Sequence, residues 1–217
     1  MIKRLYAQWL IGRSSVLFAL AFGLLCGMIL GNYESFTGDK ATVDVVYTVV
    51  ERYLALTVLF VAVQMWSDIE GRRPRLLLSL PFNRAEMVFN RLLLPMAVYA
   101  FIAATILLYA DINIADMDIW EMGVNSLPPA FLLLAAATLV GLLARNGMAG
   151  ASVAMAWWLM EITSGGRYTK QFYLFAASDT KPEVNLVANR WELAVIAVIM
   201  AVAAWRLYRR NERFMEE

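Results

Sequence analysis

Three charged residues stand inside otherwise apolar runs and are the first candidates for chemistry: Glu51, Arg52 and Glu161. Charged groups at membrane depth are costly, and they usually face a protein interior, a partner or water. Glu51 and Arg52 are adjacent, so their side chains would leave a helix about 100° apart and cannot simply neutralise each other. They could reach the lipid headgroups from the ends of their helices, or they could line a polar path or fix a helix interface. Trp157 and Trp158 lie in the same run as Glu161, where packing and substrate contact are both open.

A second candidate is a polar hinge between two apolar runs, residues 67–91. It carries five arginines: Arg72, Arg73, Arg75, Arg84 and Arg91. Pro81 suits the first turn of a new helix because its φ is fixed and its missing N–H is not needed there. The residues after it predict a short helix, with Phe82, Val88 and Phe89 as apolar contacts. Such a helix could only make the turn between two spans, or it could dock into another protein.

The composition indicates a membrane protein without an active site of its own. Apolar residues make up 61% of the chain, whereas soluble domains have about 45–50%. The chain has no histidine, the commonest general base and metal ligand, and its single cysteine, Cys26, permits no intrachain disulfide. No segment matches the glycine-rich loop that cradles ATP phosphates. We therefore expect the chain to be no enzyme and to bind no metal or cofactor itself.

The apolar runs predict an all-α polytopic membrane protein, a single transmembrane domain over residues 1–217. Six runs are near the roughly 20 residues that a helix needs to cross a bilayer. They are about Ser15–Tyr33, Val45–Trp66, Leu92–Tyr109, Val124–Leu143, Met148–Ser164 and Trp191–Trp205. Tryptophans near the span ends predict an aromatic belt at the membrane interfaces; they are Trp9, Trp66, Trp120, Trp191 and Trp205.

Two further segments are predicted to lie at the membrane surface. Residues 1–14 place Ile2, Leu5, Tyr6 and Trp9 on one helical face, which is typical of an amphipathic interfacial helix, and Gly12 is a natural place for it to end. Residues 165–190 mix aromatic and charged side chains, which favours a re-entrant or interfacial segment on the outer side.

The distribution of basic residues predicts the orientation. Most of the 19 lysines and arginines fall in the N-terminal segment, the hinge, the turn at Arg145 and the C-terminal tail. Because cytoplasmic segments are enriched in lysine and arginine, we expect both termini and the hinge to be cytoplasmic. The expected location is the cell membrane of a bacterium, with no nucleic acid partner.

The order of these parts resembles the permease, or transmembrane, subunit of type-2 ABC exporters. An interfacial N-terminal helix, six spans, a hinge helix after the second span and a long outer stretch between the fifth and sixth cover nearly the whole chain. The most specific piece is Ile69-Glu70-Gly71, followed by LLSLPFNRAE at residues 77–86. Members of that family carry an acidic-glycine pair and then a leucine-serine-leucine-proline run with a basic residue before the third span.

The resemblance implies two sets of functional residues. A coupling helix in the hinge would dock into a separate ABC ATPase, present in two copies, which would bind the ATP and Mg. Its candidate residues are Leu80, Pro81, Phe82, Asn83, Arg84, Ala85, Glu86 and Phe89. The second and fifth spans would face a second permease copy, in a homodimer or a heterodimer. That arrangement would place Glu51, Arg52, Trp157, Trp158 and Glu161 at the translocation path or the dimer interface.

The expected function is therefore ATP-driven export. Because the spans are overwhelmingly apolar, we expect amphipathic peptides or hydrophobic drugs as substrates. Two alternatives remain open. A membrane-embedded lipid-modifying enzyme would need an aspartate-rich metal motif facing the cytoplasm, yet the acidic cluster from Asp111 to Glu121 is predicted to lie outside. A non-transporting scaffold or sensor subunit is compatible with the same sequence.

Overall fold

The computed structural model describes residues 2–66, 84–179 and 184–213, with side chains for 13–63, 88–179 and 184–209. Within these ranges the regular structure is helical and contains no strand, which confirms the predicted all-α class. The helices are α1 (Ile2–Gly31), α2 (Tyr33–Thr37), α3 (Val43–Tyr47), α4 (Leu56–Trp66), α5 (Arg84–Asn113), α6 (Ile119–Ala144), α7 (Gly147–Ser164) and α8 (Leu186–Arg213). A π-helical turn, Thr48–Tyr53, lies between α3 and α4, and a 3-10 turn, Lys170–Phe172, lies between α7 and α8.

Five helical stretches are long and apolar enough to cross a membrane, which is compatible with a multi-pass membrane protein. They are Arg13–Gly31, Val43–Val63, Val88–Asn113, Ile119–Ala144 and Leu186–Arg209. The predicted fifth span coincides with α7, which has 18 residues and includes Trp157, Trp158 and Glu161. At a rise of about 1.5 Å per residue, α7 is about 27 Å long. It is not among the five stretches that are apolar enough to be counted as candidate spans.

Two predicted helix boundaries are wrong. The chain does not leave the helix at Gly12, because α1 runs without a break from Ile2 to Gly31. A single glycine costs a helix only about 1 kcal/mol, which the long helix-forming run on both sides outweighs. The second boundary is the one predicted before Leu92: α5 is one helix from Arg84 to Asn113, since no breaker lies between Arg84 and the span.

The bundle is built around its second apolar stretch, Val43–Val63, which is the most buried of the five. Helix α4 packs against α1, α5, α6 and α7, while α6 packs mainly against α7 and α8. Helix α4 ends at Trp66, immediately before the hinge, and α5 begins within the hinge at Arg84, so these residues mark the hinge end of the bundle. The opposite end contains the π-helical turn and the segment between α7 and α8.

A tight turn brings α6 and α7 together over a small-residue contact. Arg145 ends α6 in the left-handed conformation with φ of 51°, and the Asn146 side chain accepts a hydrogen bond from Ala149 N at 2.9 Å to begin α7. A Cβ placed on Gly150 would lie 2.7 Å from the nitrogen and 2.8 Å from the Cα of Gly141. Because only glycine at position 150 permits this approach, the backbones of the two helices can pack closely there.

Candidate functional site

The π-helical turn distorts the second apolar stretch next to the two charged residues. Leu54 N donates to Val49 O at 2.9 Å, five residues back. Such turns insert one residue into a helix and frequently occur at functional sites. Side chains of neighbouring helices bind the carbonyls of this turn. Trp158 Nε1 donates to Arg52 O at 2.7 Å, and the Tyr99 hydroxyl donates to Val50 O at 3.4 Å.

Glu51 forms a buried ion pair with Arg190, near the start of α8. The glutamate is only 1% exposed, so it does not reach out to the membrane surface. Ser178 N donates to Glu51 Oε2 at 2.7 Å and Ala177 N to Oε1 at 3.4 Å, while Arg190 also donates to Leu174 O at 3.2 Å. The carboxylate is thus held by both charge and backbone donors, as a buried charge requires.

Arg52 pairs with a different partner, Asp179. Its Nε donates to Ser178 Oγ at 3.0 Å, and its guanidinium lies 5.7 Å from the centroid of the Phe175 ring. Asp179 also accepts a hydrogen bond from the Tyr173 hydroxyl. Burial raises the pKa of Tyr173 well above its ordinary value, and the hydrogen bond to Asp179 raises that pKa further. The adjacent residues Glu51 and Arg52 are therefore neutralised separately, by residues of the segment between α7 and α8 and by α8 itself.

Glu161 on α7 is completely buried, and both of its carboxylate oxygens accept side-chain hydrogen bonds. Its Oε1 accepts from Trp157 Nε1 at 3.1 Å, one helical turn away, and its Oε2 accepts from Thr169 Oγ1 at 2.9 Å. Trp158 packs edge-on against Tyr53, with ring centroids 6.5 Å apart. The structure thus brings together all five residues predicted for the path or dimer interface.

We call this cluster the polar cap: Glu51, Arg52, Trp157, Trp158, Glu161, Thr169, Tyr173, Ser178, Asp179, Asn189 and Arg190. The last six were not predicted from the sequence. Asn189 Nδ2 donates to the carbonyls of Gln171 and Tyr173, which holds the segment between α7 and α8 to α8. Arg190 and Asp179 could have been suspected as partners, because Glu51 requires a positive charge nearby and Arg52 requires a negative one. Through its hydrogen bonds and ion pairs, the polar cap links the π-helical turn, α7, the segment before α8 and α8 itself.

An apolar groove of about 640 Å³ runs along α4 between α1 and α7. Phe60 lies in it and packs edge-on against Phe18 and Phe22, with centroid distances of 4.9 and 5.6 Å. Its full lining is Ser14, Ser15, Phe18, Leu59, Phe60, Val63, Met148, Ala151, Ser152, Met155, Ala156 and Leu159. The three serines are the only polar residues of this lining, and two of them come from the hinge end of α1. The groove can therefore accommodate an apolar body.

Most residues predicted to contact an ATPase cannot be placed. Leu80, Pro81, Phe82 and Asn83 lie outside the described residues, and Arg84, Ala85 and Glu86 lie in the first turns of α5, where side chains are not described. Phe89 is 63% exposed on α5.

No group of three potential metal ligands comes together among the residues that the structure describes. Comparisons of the chain with family models, curated proteins and solved structures gave no match. The function must therefore be inferred from the residues and their geometry.

Proposed function

We propose that this chain is the permease subunit of an ATP-driven exporter of the type-2 ABC class. It would act as a dimer with an identical or a related permease and be driven by two copies of a separate ATPase. In this proposal α7 also crosses the membrane, as the fifth of six spans, and both termini are cytoplasmic. The coupling helix within the hinge, residues 81–89, would dock into the ATPase.

The observation that supports the proposal is that the second apolar stretch leads from the polar cap to the hinge. Its last helix, α4, ends at Trp66, immediately before the hinge. Farther from the hinge, the same stretch carries Glu51 and Arg52, which pair with Arg190 and Asp179 in the polar cap. The distance along a helix from Arg52 to Trp66 is about 21 Å at about 1.5 Å per residue. A displacement of the hinge by a docked ATPase would therefore act through one buried helix on the opposite end of the bundle.

The apolar groove between α1, α4 and α7 supports the choice of substrate. Its lining is aromatic and aliphatic over most of its length, with serine hydroxyls at one end. Amphipathic peptides and hydrophobic drugs match this pattern because they combine an apolar body with hydrogen-bonding groups. ATP-driven changes in the contacts that this surface makes with substrate would drive release.

The docking step can be tested by capture from native membranes. The tagged chain is purified from the membranes of its own host, and ATP hydrolysis by the captured proteins is measured. We expect an ATPase to be captured, and we expect Phe82→Asp or Arg84→Glu to weaken its binding about thirtyfold, because loss of a central interface residue costs about 2 kcal/mol or more.

Arg13→Glu is the matched control for this experiment. It makes the same charge change as Arg84→Glu at an exposed position on α1, outside the hinge. Thermal unfolding of each purified variant establishes that it is folded. Capture of no ATPase, or equal capture by the wild type and both hinge variants, would overturn the proposal.

A further inference from the structure

A second groove opens on the opposite side of the bundle, between α5, α6 and α8. Its volume is about 560 Å³. The lining residues are all apolar and include Phe89 and Met96 on α5 and Val198, Ala201, Val202 and Trp205 on α8. Helix α5 begins and α8 ends at the hinge end, so Phe89 and Trp205 form the mouth of the groove and Met96 and Val198 lie deeper. In a membrane, a groove with this lining is filled by apolar groups of a lipid or of another molecule.

On its α8 side, this groove lies next to a positively charged residue, Arg209. Val198, Ala201, Val202 and Trp205 follow one another at spacings of three, one and three residues, which places them on one helical stripe. Arg209 is the next residue on that stripe, one turn beyond Trp205. Its guanidinium carbon lies 5.0 Å from the centroid of the Trp205 ring, and its side chain is exposed. Tryptophan and arginine at the end of an apolar helix are typical of the headgroup level of a bilayer.

We propose that this groove binds one acyl chain of an anionic phospholipid, with the lipid phosphate on Arg209. A phospholipid places an anion at the headgroup level and an apolar chain along the helices below it, which matches the order of Arg209, Trp205 and the apolar stripe. Guanidinium groups pair with phosphate oxygens through two parallel hydrogen bonds. No lining residue carries a carboxylate that would compete for Arg209. Arg206, also exposed, adds positive charge on the same turn of α8.

A third groove provides the comparison. It lies between α1 and α5, has a volume of about 590 Å³ and includes Leu24, Gly27 and Thr105. Neither groove has a charged lining residue, but Arg209 packs on Trp205 at the mouth of the second groove, whereas among the described residues no arginine packs on an aromatic ring of the third. A chain bound there gains apolar contacts alone, so it should show no preference for an anionic headgroup. The lipid preference is thus assigned to the groove beside Arg209, and it holds whether or not the chain is a transporter.

The test is lipid binding to the purified full chain in a neutral detergent, measured by native mass spectrometry. Phosphatidylglycerol and phosphatidylcholine with the same acyl chains are the probes. We expect phosphatidylglycerol to bind more tightly, and Arg209→Gln to weaken its binding about fivefold, equivalent to about 1 kcal/mol. Phosphatidylcholine binding should be unchanged in that variant. Arg13→Gln, which removes an exposed arginine at the same end of the bundle, should leave both lipids unaffected.

A second pair of variants tests the chain-binding part of the groove. Ala201→Phe places a ring inside it and should weaken both lipids, whereas Thr105→Phe fills the groove between α1 and α5 and should leave the phosphatidylglycerol preference intact. Equal affinity of the two lipids for the wild type, or equal effects of Arg13→Gln and Arg209→Gln, would overturn the proposal even if Ala201→Phe fails to fold. Complete competition by soluble glycerol phosphate would also overturn it, because Arg209 would then bind a free anion.

Discussion

Glu51 on the π-helical turn and Arg190 at the start of α8 form a buried ion pair across 139 residues of sequence. Neither residue could be buried alone, because a lone charge in an apolar interior is strongly destabilised. Together with the bonds from Ala177 and Ser178, the pair fixes the segment between α7 and α8 against the second apolar stretch. This contact closes the end of the bundle opposite the hinge.

Removing one partner of this pair should be costly. Glu51→Gln leaves the Arg190 charge buried without its counter-charge, so we expect a loss of about 3–5 kcal/mol in unfolding free energy. The measurement is thermal or denaturant unfolding of the purified chain in detergent. The double variant Glu51→Gln, Arg190→Gln should recover part of the loss, since no charge is then stranded. Additive losses in the double variant would show that the pair does not act as a unit.

The contact between α6 and α7 depends on the missing side chain of Gly150. In Gly150→Ala, the added Cβ would collide with backbone atoms of Ala137 and Gly141, so we expect a loss of about 1–3 kcal/mol from overpacking. Gly27→Ala on α1 is the matched control because a Cβ there meets no atom within 4 Å. That control should be neutral or stabilising by up to about 1 kcal/mol through helix propensity. Equal melting temperatures of the two variants would contradict the close packing.

If the second apolar stretch transmits force from the hinge, then Arg52→Gln should uncouple the complex without dissociating it. The variant loses the ion pair with Asp179 and the bond to Ser178 Oγ at 3.0 Å. We expect substrate-stimulated ATP hydrolysis to fall about fivefold or more, since coupling free energies are typically about 1–3 kcal/mol, while capture of the ATPase is retained. Arg167→Gln, at an exposed position of the segment between α7 and α8, is the control. Unchanged stimulation in Arg52→Gln would contradict this route.

The raised pKa of Tyr173 predicts a loss of stability at alkaline pH. Burial and the bond to Asp179 keep the phenol protonated in the folded chain, whereas an unfolded tyrosine ionises near pH 10. Above about pH 10 the unfolded state therefore binds fewer protons than the folded state, and the unfolding free energy falls as pH rises. Tyr173→Phe should show a smaller fall between about pH 9 and 11. Equal pH slopes for the two proteins would exclude this contribution.

Much of the fold could be predicted because apolar runs and their lengths are local properties of the chain. A stretch of about 20 apolar residues forms a helix in a bilayer whatever its neighbours are, and five of the predicted spans coincide with apolar helical stretches. Helix ends were predicted less well: Gly12 and the residues before Leu92 looked like boundaries, but neither interrupts a helix. The energy of one glycine or one polar residue is too small to end a long helix.

From residue types alone, Glu51, Arg52 and Glu161 were expected either to reach the lipid headgroups or to face a protein interior, a partner or water, and adjacent Glu51 and Arg52 could not simply neutralise each other. Their actual partners could not be read from the chain, because Asp179 and Arg190 lie more than a hundred residues away from them. The π-helical turn was equally hidden, since its stability depends on Trp158 and Tyr99 reaching it from other helices. Periodicity reports what a segment prefers on its own, whereas buried charges are placed by contacts that form only when the whole bundle packs.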